Sequence, residues 1–372
     1  MVAKLTVALQ DDGPFRLDVQ LSCATGEILA LVGPSGSGKS RVLRSIAGLY
    51  RPKRGEIIYG DEVWYDPAKA VNLTPQQRRV GIVFQNYALF PHLSAIKNVM
   101  EALGDRPPSE RRARAGELLD LVNLGGLEDR NPAELSGGQQ QRVAVARALA
   151  RDPNVLLLDE PFSAVDKATR QRLYRELADL RRQLRMPVVL VTHDLDEAAM
   201  LADRLCILHR GRTLQEGPPF DVMARPATPE IARLVELKNT FEGRVLEHQA
   251  GNDRTFLGWG PYTLETTYQP NFPEGSCVTW TIPNARVIIH RPDRPSRGER
   301  ENPVSGIIME FVPLGDWTSV AIAVDGVPDS PLFMTVPTHV AHRNDLATDK
   351  RINASLLAKG IHLMPLSHED EA

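Results

Sequence analysis

Ile28-Leu29-Ala30-Leu31-Val32-Gly33-Pro34-Ser35-Gly36-Ser37-Gly38-Lys39-Ser40 is the stretch from which the fold is read. The apolar run Ile28 to Val32 is too short for a helix and too continuous for a strand with one wet face. It predicts a parallel strand buried on both faces. The residues after it match G-x-x-x-x-G-K-[ST] at every fixed position. Glycines let backbone N–H groups wrap an anion, and a helix beginning at Lys39 points its positive end at it. Lys39 neutralises β/γ-phosphate charge, and Ser40 is a ligand for Mg²⁺. Gly33, Pro34, Ser35, Gly36, Ser37, Gly38, Lys39 and Ser40 are thus the expected phosphate cradle. Arg41 comes next, where its guanidinium either contacts phosphate or faces solvent.

Two further apolar runs, Val155 to Leu158 and Val188 to Val191, read as buried parallel strands and make the core α/β. The first ends in Asp159 and Glu160. Unpaired carboxylates are costly there unless a cation or a wet site receives them. A helix cap or exposed turn is the plain alternative for an acid pair, and the upstream phosphate loop decides against it. Asp159 is expected to support the metal and Glu160 to act as base on the attacking water. His193 follows the next strand, placed to hydrogen-bond a γ-phosphate oxygen or the water, or else to cap the segment after it. Ser136-Gly137-Gly138-Gln139 opens a helix running through Val143, Ala146 and Ala150. A hydroxyl, flexible N–H groups and a helix dipole there form a second anion-binding corner.

The rest of the chain frames these motifs. Gly55 to Asp66 and Leu205 to Gln215 each alternate about a tight turn, so antiparallel hairpins are expected to flank the parallel sheet. Between Asn86 and Arg151 helical spacing replaces the strand signal, which predicts an inserted helical subdomain over about 86–151. After Leu237 short β runs recur among Pro, Gly and Thr. The expected division is therefore 1–237, then a small β domain over 238–366 and a tail at 367–372. Phe241 to Glu247 and Val304 to Glu310 share a Gly, an apolar pair and a Glu, which suggests a five- or six-stranded barrel built in two halves.

The chain has 372 residues, more than one hydrophobic core usually serves, which agrees with two domains. Its net charge of -3, from 44 basic and 47 acidic side chains, argues against nucleic acid as a partner. Three cysteines without metal or disulfide spacing fit a reducing cytosol. The N-terminal residues lack a signal-peptide pattern, and no apolar run nears the roughly 20 residues that span a bilayer.

Taken in order and spacing, Gly33 to Ser40, Gln85, Ser136 to Gln139, Asp159-Glu160, Ser163 to Asp166 and His193 closely resemble the ATP-binding cassette family, over roughly residues 1–235. The resemblance implies a P-loop NTPase cassette with an antiparallel β subdomain and an inserted helical subdomain. It implies an ATPase that uses ATP and Mg²⁺, with Gln85 touching metal and water and Asp166 in a loop that crosses a dimer interface. It also implies a homodimer, since ATP in that family lies between one copy's phosphate loop and the other's Ser-Gly-Gly corner. The family's adenine-stacking aromatic has Phe15 as its nearest candidate here, a core role being the alternative.

Phe84 to Leu93 resembles the stretch by which importer ATPases grip a permease, and the β tail resembles oligonucleotide-binding-like (OB-like) regulatory domains of importers. Together these imply an importer subunit peripheral to the cytoplasmic face of the inner membrane. Its partners would be transmembrane permease subunits and, indirectly, a solute-binding protein. Residues 62–66, 72–75 and 78–81 look most like molybdate importers, with sulfate or thiosulfate as the alternative and ferric iron, polyamine or sugar importers next. The rival from another class is a non-transport ATPase of the family that remodels nucleic acid or ribosomes. Such chains commonly carry two cassettes and basic arms, and this one shows neither.

Overall fold

The computed structural model describes residues 3–13, 16–163, 165, 167–181, 184–290 and 300–366. Phe15, Asp166 and the tail 367–372 lie outside the described residues. Contacts divide the chain into two compact units, Met1–Pro219 and Phe220–Ala372. That division falls ahead of the 237/238 boundary read from composition. Packing accounts for the difference: His362, on the last strand of the second unit, bonds the Pro226 carbonyl at 2.9 Å and ties the preceding segment to that unit.

Among the described residues the first unit is built on one sheet of eleven strands. In chain order these are β1 (Lys4–Asp11), β2 (Leu17–Ala24), β3 (Ile28–Val32), β4 (Arg54–Tyr59), β5 (Glu62–Asp66), β6 (Val71–Asn72), β7 (Val80–Val83), β8 (Val155–Asp159), β9 (Val188–Thr192), β10 (Arg204–His209) and β11 (Arg212–Gly217). Their spatial order is β6-β5-β4-β1-β2-β11-β10-β3-β9-β8-β7. At one end β3, β9, β8 and β7 pair in parallel, and β10 adds in parallel to β3. At the other end β1, β2, β4, β5 and β6 are antiparallel. The β10–β11 hairpin does not flank the parallel strands as a free edge. It stitches the two regions together, because β11 also bridges β2 at Arg212 and Asp18.

β3 and β9 are buried at every residue, the pattern of a strand covered on both faces. Helix α1 (Lys39–Ile46) follows β3 and packs Val42, Leu43 and Ile46 into a core with Leu29, Leu31, Leu157 and Val189. After the short helix α2 (Pro75–Arg78), the inserted helical part carries α3 (Ala95–Ala102), α4 (Pro108–Leu121) and α5 (Gly137–Leu149), with no strand between β7 and β8 among the described residues. These helices share a second core with Leu156, Leu158 and Leu190 through Val99, Leu118, Leu119, Val143 and Ala146. Each such aliphatic burial stabilises by about 1.5–3 kcal/mol. Helices α6 (Lys167–Arg181) and α7 (Leu195–Leu201) follow β8 and β9.

Among the described residues the second unit holds ten strands in two sheets of five, more than the five or six expected of a barrel in two halves. One sheet contains Thr240–Gln249 with Arg254–Trp259, Tyr262–Thr266, Cys277–Thr281 and His362–Pro365. The other contains Glu301–Leu314 with Val287–Ile289, Trp317–Val324, Val327–Pro337 and Arg351–Leu357. The sequence repeat sits at equivalent places in the two. The register slips between Val245 and Glu247 in one sheet and between Ile308 and Glu310 in the other. Each β-bulge turns its middle residue outward, leaving Leu246 and Met309 exposed. Phe241, Trp259 and Trp280 stack at centroid distances of 4.8–5.1 Å in the shared core.

Candidate functional site

Gly33 to Gly38 join the end of β3 to the start of α1. A Cβ on Gly33 would lie 2.0 Å from the Leu208 carbonyl oxygen, so the loop can run this close to β10 only without a side chain. Gly38 sits at φ 104° and releases the chain into α1. Pro34 O accepts from Ser37 N at 3.1 Å, while Pro34, Ser35 and Gly36 are exposed at the loop's outer side. Ser37 Oγ is buried without a hydrogen-bond partner among the described residues, a spare donor within a loop of the right shape for an anion. Lys39 is buried and its Nζ donates to the carbonyls of Gly33 at 2.6 Å and Pro34 at 3.0 Å. Burial lowers its pKa, and the charges of Glu160 and Asp159 oppose that shift.

Opposite the loop, the Ser40 hydroxyl lies 3.3 Å from Asp159 Oδ1 at the end of β8. Burial raises the Asp159 carboxyl above the usual carboxylate range despite that hydrogen bond. A hard-oxygen pair of this kind fits a divalent cation, which would compensate the desolvated charge. Glu160 N bonds Val191 O at 3.0 Å, and Glu160 sits at φ 45°, in the left-handed region that side chains avoid. That turn places its side chain beside Gln85 and His193. Gln85 Nε2 donates to Glu160 Oε2 at 3.2 Å, and His193 Nδ1 lies 3.4 Å from the same oxygen. With its nitrogen so engaged, the Gln85 amide keeps its oxygen free for a cation.

Ser40, Asp159, Glu160, Gln85, His193 and Lys39 therefore gather at one mouth. The Ser136 corner does not join them by any hydrogen bond among the described residues. Its bonds close on itself, with Ser136 N donating to Gln139 Oε1 at 2.8 Å and Gln139 N to Ser136 Oγ at 3.3 Å, a reciprocal cap at the start of α5. Gly137 and Gly138 form the first turn, and their N–H groups add to the dipole end. The Arg41 guanidinium stacks over the Tyr50 ring at 5.1 Å, and Tyr50 Oη donates to Asp11 at 2.5 Å. Asp166 lies outside the described residues.

Sequence reading overlooked a network behind His193. Thr192 Oγ1 donates to the buried Glu197 at 2.9 Å, Asp194 N donates to Thr192 Oγ1 at 3.0 Å, and Asp194 caps α7 through Glu197 N. Arg170 reaches Asp194 at 3.4 Å and the Val165 carbonyl at 3.0 Å. The burial of Arg78 was likewise not read from the sequence: it is fully buried and donates to the carbonyls of Ser45, Ile46 and Leu73 and to Asn72 Oδ1. In the sequence Arg78 stands only within the 78–81 stretch that resembles importers, and a charge just before β7 gives no sign of burial, since a solvated turn explains it equally well.

A family profile described as ABC transporter matches residues 17–163. A sulfate/thiosulfate import ATP-binding protein CysA of Mesorhizobium japonicum is 44% identical over 277 residues, covering 73% of this chain and 76% of the relative. The chain belongs to the ABC transporter family of ATPases. Another relative of the same description, from Brucella melitensis biotype 1, is 47% identical over 285 residues, covering 72% of this chain and 78% of its own length. A solved structure described as a dimeric post-hydrolysis state of the ATP-binding cassette MJ0796 bound to ADP and Pi aligns at 34% identity and a TM-score of 0.47, over 58% of this chain and 98% of that one. Membership of the ABC family makes the chain an ATP- and Mg²⁺-dependent ATPase. No helix among the described residues is long and apolar enough to cross a membrane.

Proposed function

We propose that this chain is the ATP-hydrolysing subunit of an importer for sulfate or thiosulfate, working as a homodimer at the cytoplasmic face of the membrane beside transmembrane permease subunits. The observation that carries the catalytic part is the meeting of Gln85 and His193 on one oxygen of Glu160, next to the Ser40–Asp159 pair. Gly33 to Gly38 and Lys39 hold the phosphates, with Lys39 exchanging its loop carbonyls for phosphate oxygens. Ser40, Asp159 and the Gln85 amide oxygen would hold Mg²⁺, which would supply charge neutralisation to the phosphates. Glu160 accepts the proton of the attacking water, whose oxygen bonds to the γ-phosphorus while the bond to the β–γ bridging oxygen breaks. Gln85 and His193 orient the Glu160 carboxylate and the water.

The self-contained Ser136 corner supports the dimer, because its free N–H groups need an anion from elsewhere, and a second copy's nucleotide supplies one. Asp166 would lie at that dimer interface. For the solute, the names of the relatives support sulfate or thiosulfate, and the molybdate reading from residues 62–81 gives way to it. The second unit would serve regulation. The net charge of -3 supports a reading without a nucleic-acid partner.

Glu160→Gln tests the mechanism: ATP affinity should stay near wild type while turnover falls by about 10²–10⁴. Turnover within a factor of a few of wild type would refute the base assignment. For the solute, ATPase stimulation is measured in reconstituted permease with binding protein loaded with sulfate, thiosulfate or molybdate. Stimulation by molybdate alone would overturn the choice.

A further inference from the structure

Tyr87 and Ala88 stand at φ 60° and 46°, two consecutive residues with a Cβ in the left-handed region. L-residues avoid that conformation singly, and a pair persists only where surrounding groups hold it. The bend begins two residues after Gln85, and Tyr87 N bonds back to Phe84 O at 2.8 Å across it. Two side chains pin the segment. Arg147, in the last turn of α5, donates from Nη1 to Ala88 O at 2.8 Å and from Nη2 to Tyr87 O at 2.9 Å. Its guanidinium carbon also stands 5.6 Å from the centroid of the Phe90 ring, which is itself exposed. Asn98 of α3, with no exposed surface, exchanges hydrogen bonds with both Phe90 N and Phe90 O.

The guanidinium is half-buried, and burial lowers its pKa, a desolvation cost that its two carbonyl bonds offset. The planar fork matches two adjacent carbonyls, which a lysine cannot do. Helix α5 begins at the Ser136 corner and carries Arg147 roughly 15 Å along its axis. One rigid element thus holds the anion-binding corner at its start and the Gln85 loop at its end.

We propose that Arg147 is a positioning residue that locks the Tyr87–Ala88 bend, and with it the Gln85 amide on Glu160, to the helix bearing Ser136. It rests on the proposed ATPase site and names how that site is tied to the corner that serves a second nucleotide. A shift of α5 is delivered to Gln85 and to the exposed Phe90 as one movement.

Full-length wild-type, Arg147→Met, Arg147→Lys, Ala88→Gly and Arg147→Met/Ala88→Gly chains are compared by ATPase kinetics, fluorescent-ATP binding, thermal melting and amide hydrogen exchange. Arg147→Met is expected to lower kcat by about 10- to 100-fold with KM for ATP within about twofold, and to accelerate exchange of the 86–90 amides. Arg147→Lys should keep an intermediate kcat. Glycine adopts the left-handed bend without a Cβ clash, so Ala88→Gly in the Arg147→Met background should recover much of the lost kcat. A lowered melting temperature with a wild-type kcat in Arg147→Met would mean that Arg147 only supports the fold, and a kcat left unrecovered in the double variant despite a restored melting temperature would mean that it does not act through the bend. A wild-type chain that hydrolyses no ATP would defeat the proposed function, and the clamp is then judged on exchange alone. Unchanged 86–90 protection in Arg147→Met would overturn it.

Discussion

Replacing Glu197 with Gln should change how stability depends on pH. Glu197 is buried at the start of α7, and burial pushes its carboxyl up to about 7 from an ordinary 4.5. The neighbouring charges of Asp194 and Glu160 push the same way, while the Thr192 hydroxyl and Arg170 act against them. Between those two values the folded chain retains a proton at Glu197 that the unfolded chain has released. Raising the pH therefore favours unfolding, and the stability present below pH 4.5 is lost as pH rises through 7. At about 1.4 kcal/mol per unit the window is worth roughly 3 kcal/mol.

Glu197→Gln keeps an acceptor for Thr192 and removes the titration, so its stability relative to wild type should grow by about that much from pH 5 to pH 8. Urea titrations of both full-length chains at pH 5, 6, 7 and 8, at constant ionic strength, measure this. Hydrogen exchange of 188–192 and 195–201 then reports the first unit. Parallel pH profiles for the two chains would refute the reasoning.

Arg78→Met should destabilise the first unit by at least about 2 kcal/mol in urea unfolding, because three carbonyls and Asn72 lose a charged donor in a buried place. An unchanged midpoint would mean that relieving the buried cation offsets the lost bonds. Gly33→Ala forces a Cβ to 2.0 Å from Leu208 O, so equilibrium binding of ATP should weaken by about tenfold or more. Wild-type affinity would show that the loop can move aside without losing its shape. Mixing Lys39→Ala and Ser136→Arg chains should restore ATPase activity that each lacks alone, since one intact composite site forms per mixed dimer. No recovery, with mixing verified by mass spectrometry, would count against a shared site.

Local residue type made the phosphate loop, the parallel strands and the helical insertion legible, because each depends on short-range rules: apolar runs, glycine spacing and helix periodicity. The hairpins were legible for the same reason, from Gly60 and Gly211 between alternating arms. The strand count of the second unit was not. Short, separately alternating runs do not reveal which of them pair, and the slips at Val245/Glu247 and Ile308/Glu310 appear only once partners are known.

For the site, the sequence by itself named the side chains proposed to carry chemistry. Gly33 to Ser40, Gln85, Ser136 to Gln139, Asp159, Glu160 and His193 have functional groups that suit phosphate, metal and proton transfer wherever the chain places them. Only the tertiary structure decided how they act on one another. Gln85 and His193 meet at a single Glu160 oxygen because β7, β8 and β9 lie side by side and Glu160 turns through a left-handed φ. Arg78, Glu197 and Arg147 matter for what surrounds them, and burial, carbonyl geometry and desolvation exist only after distant segments have packed.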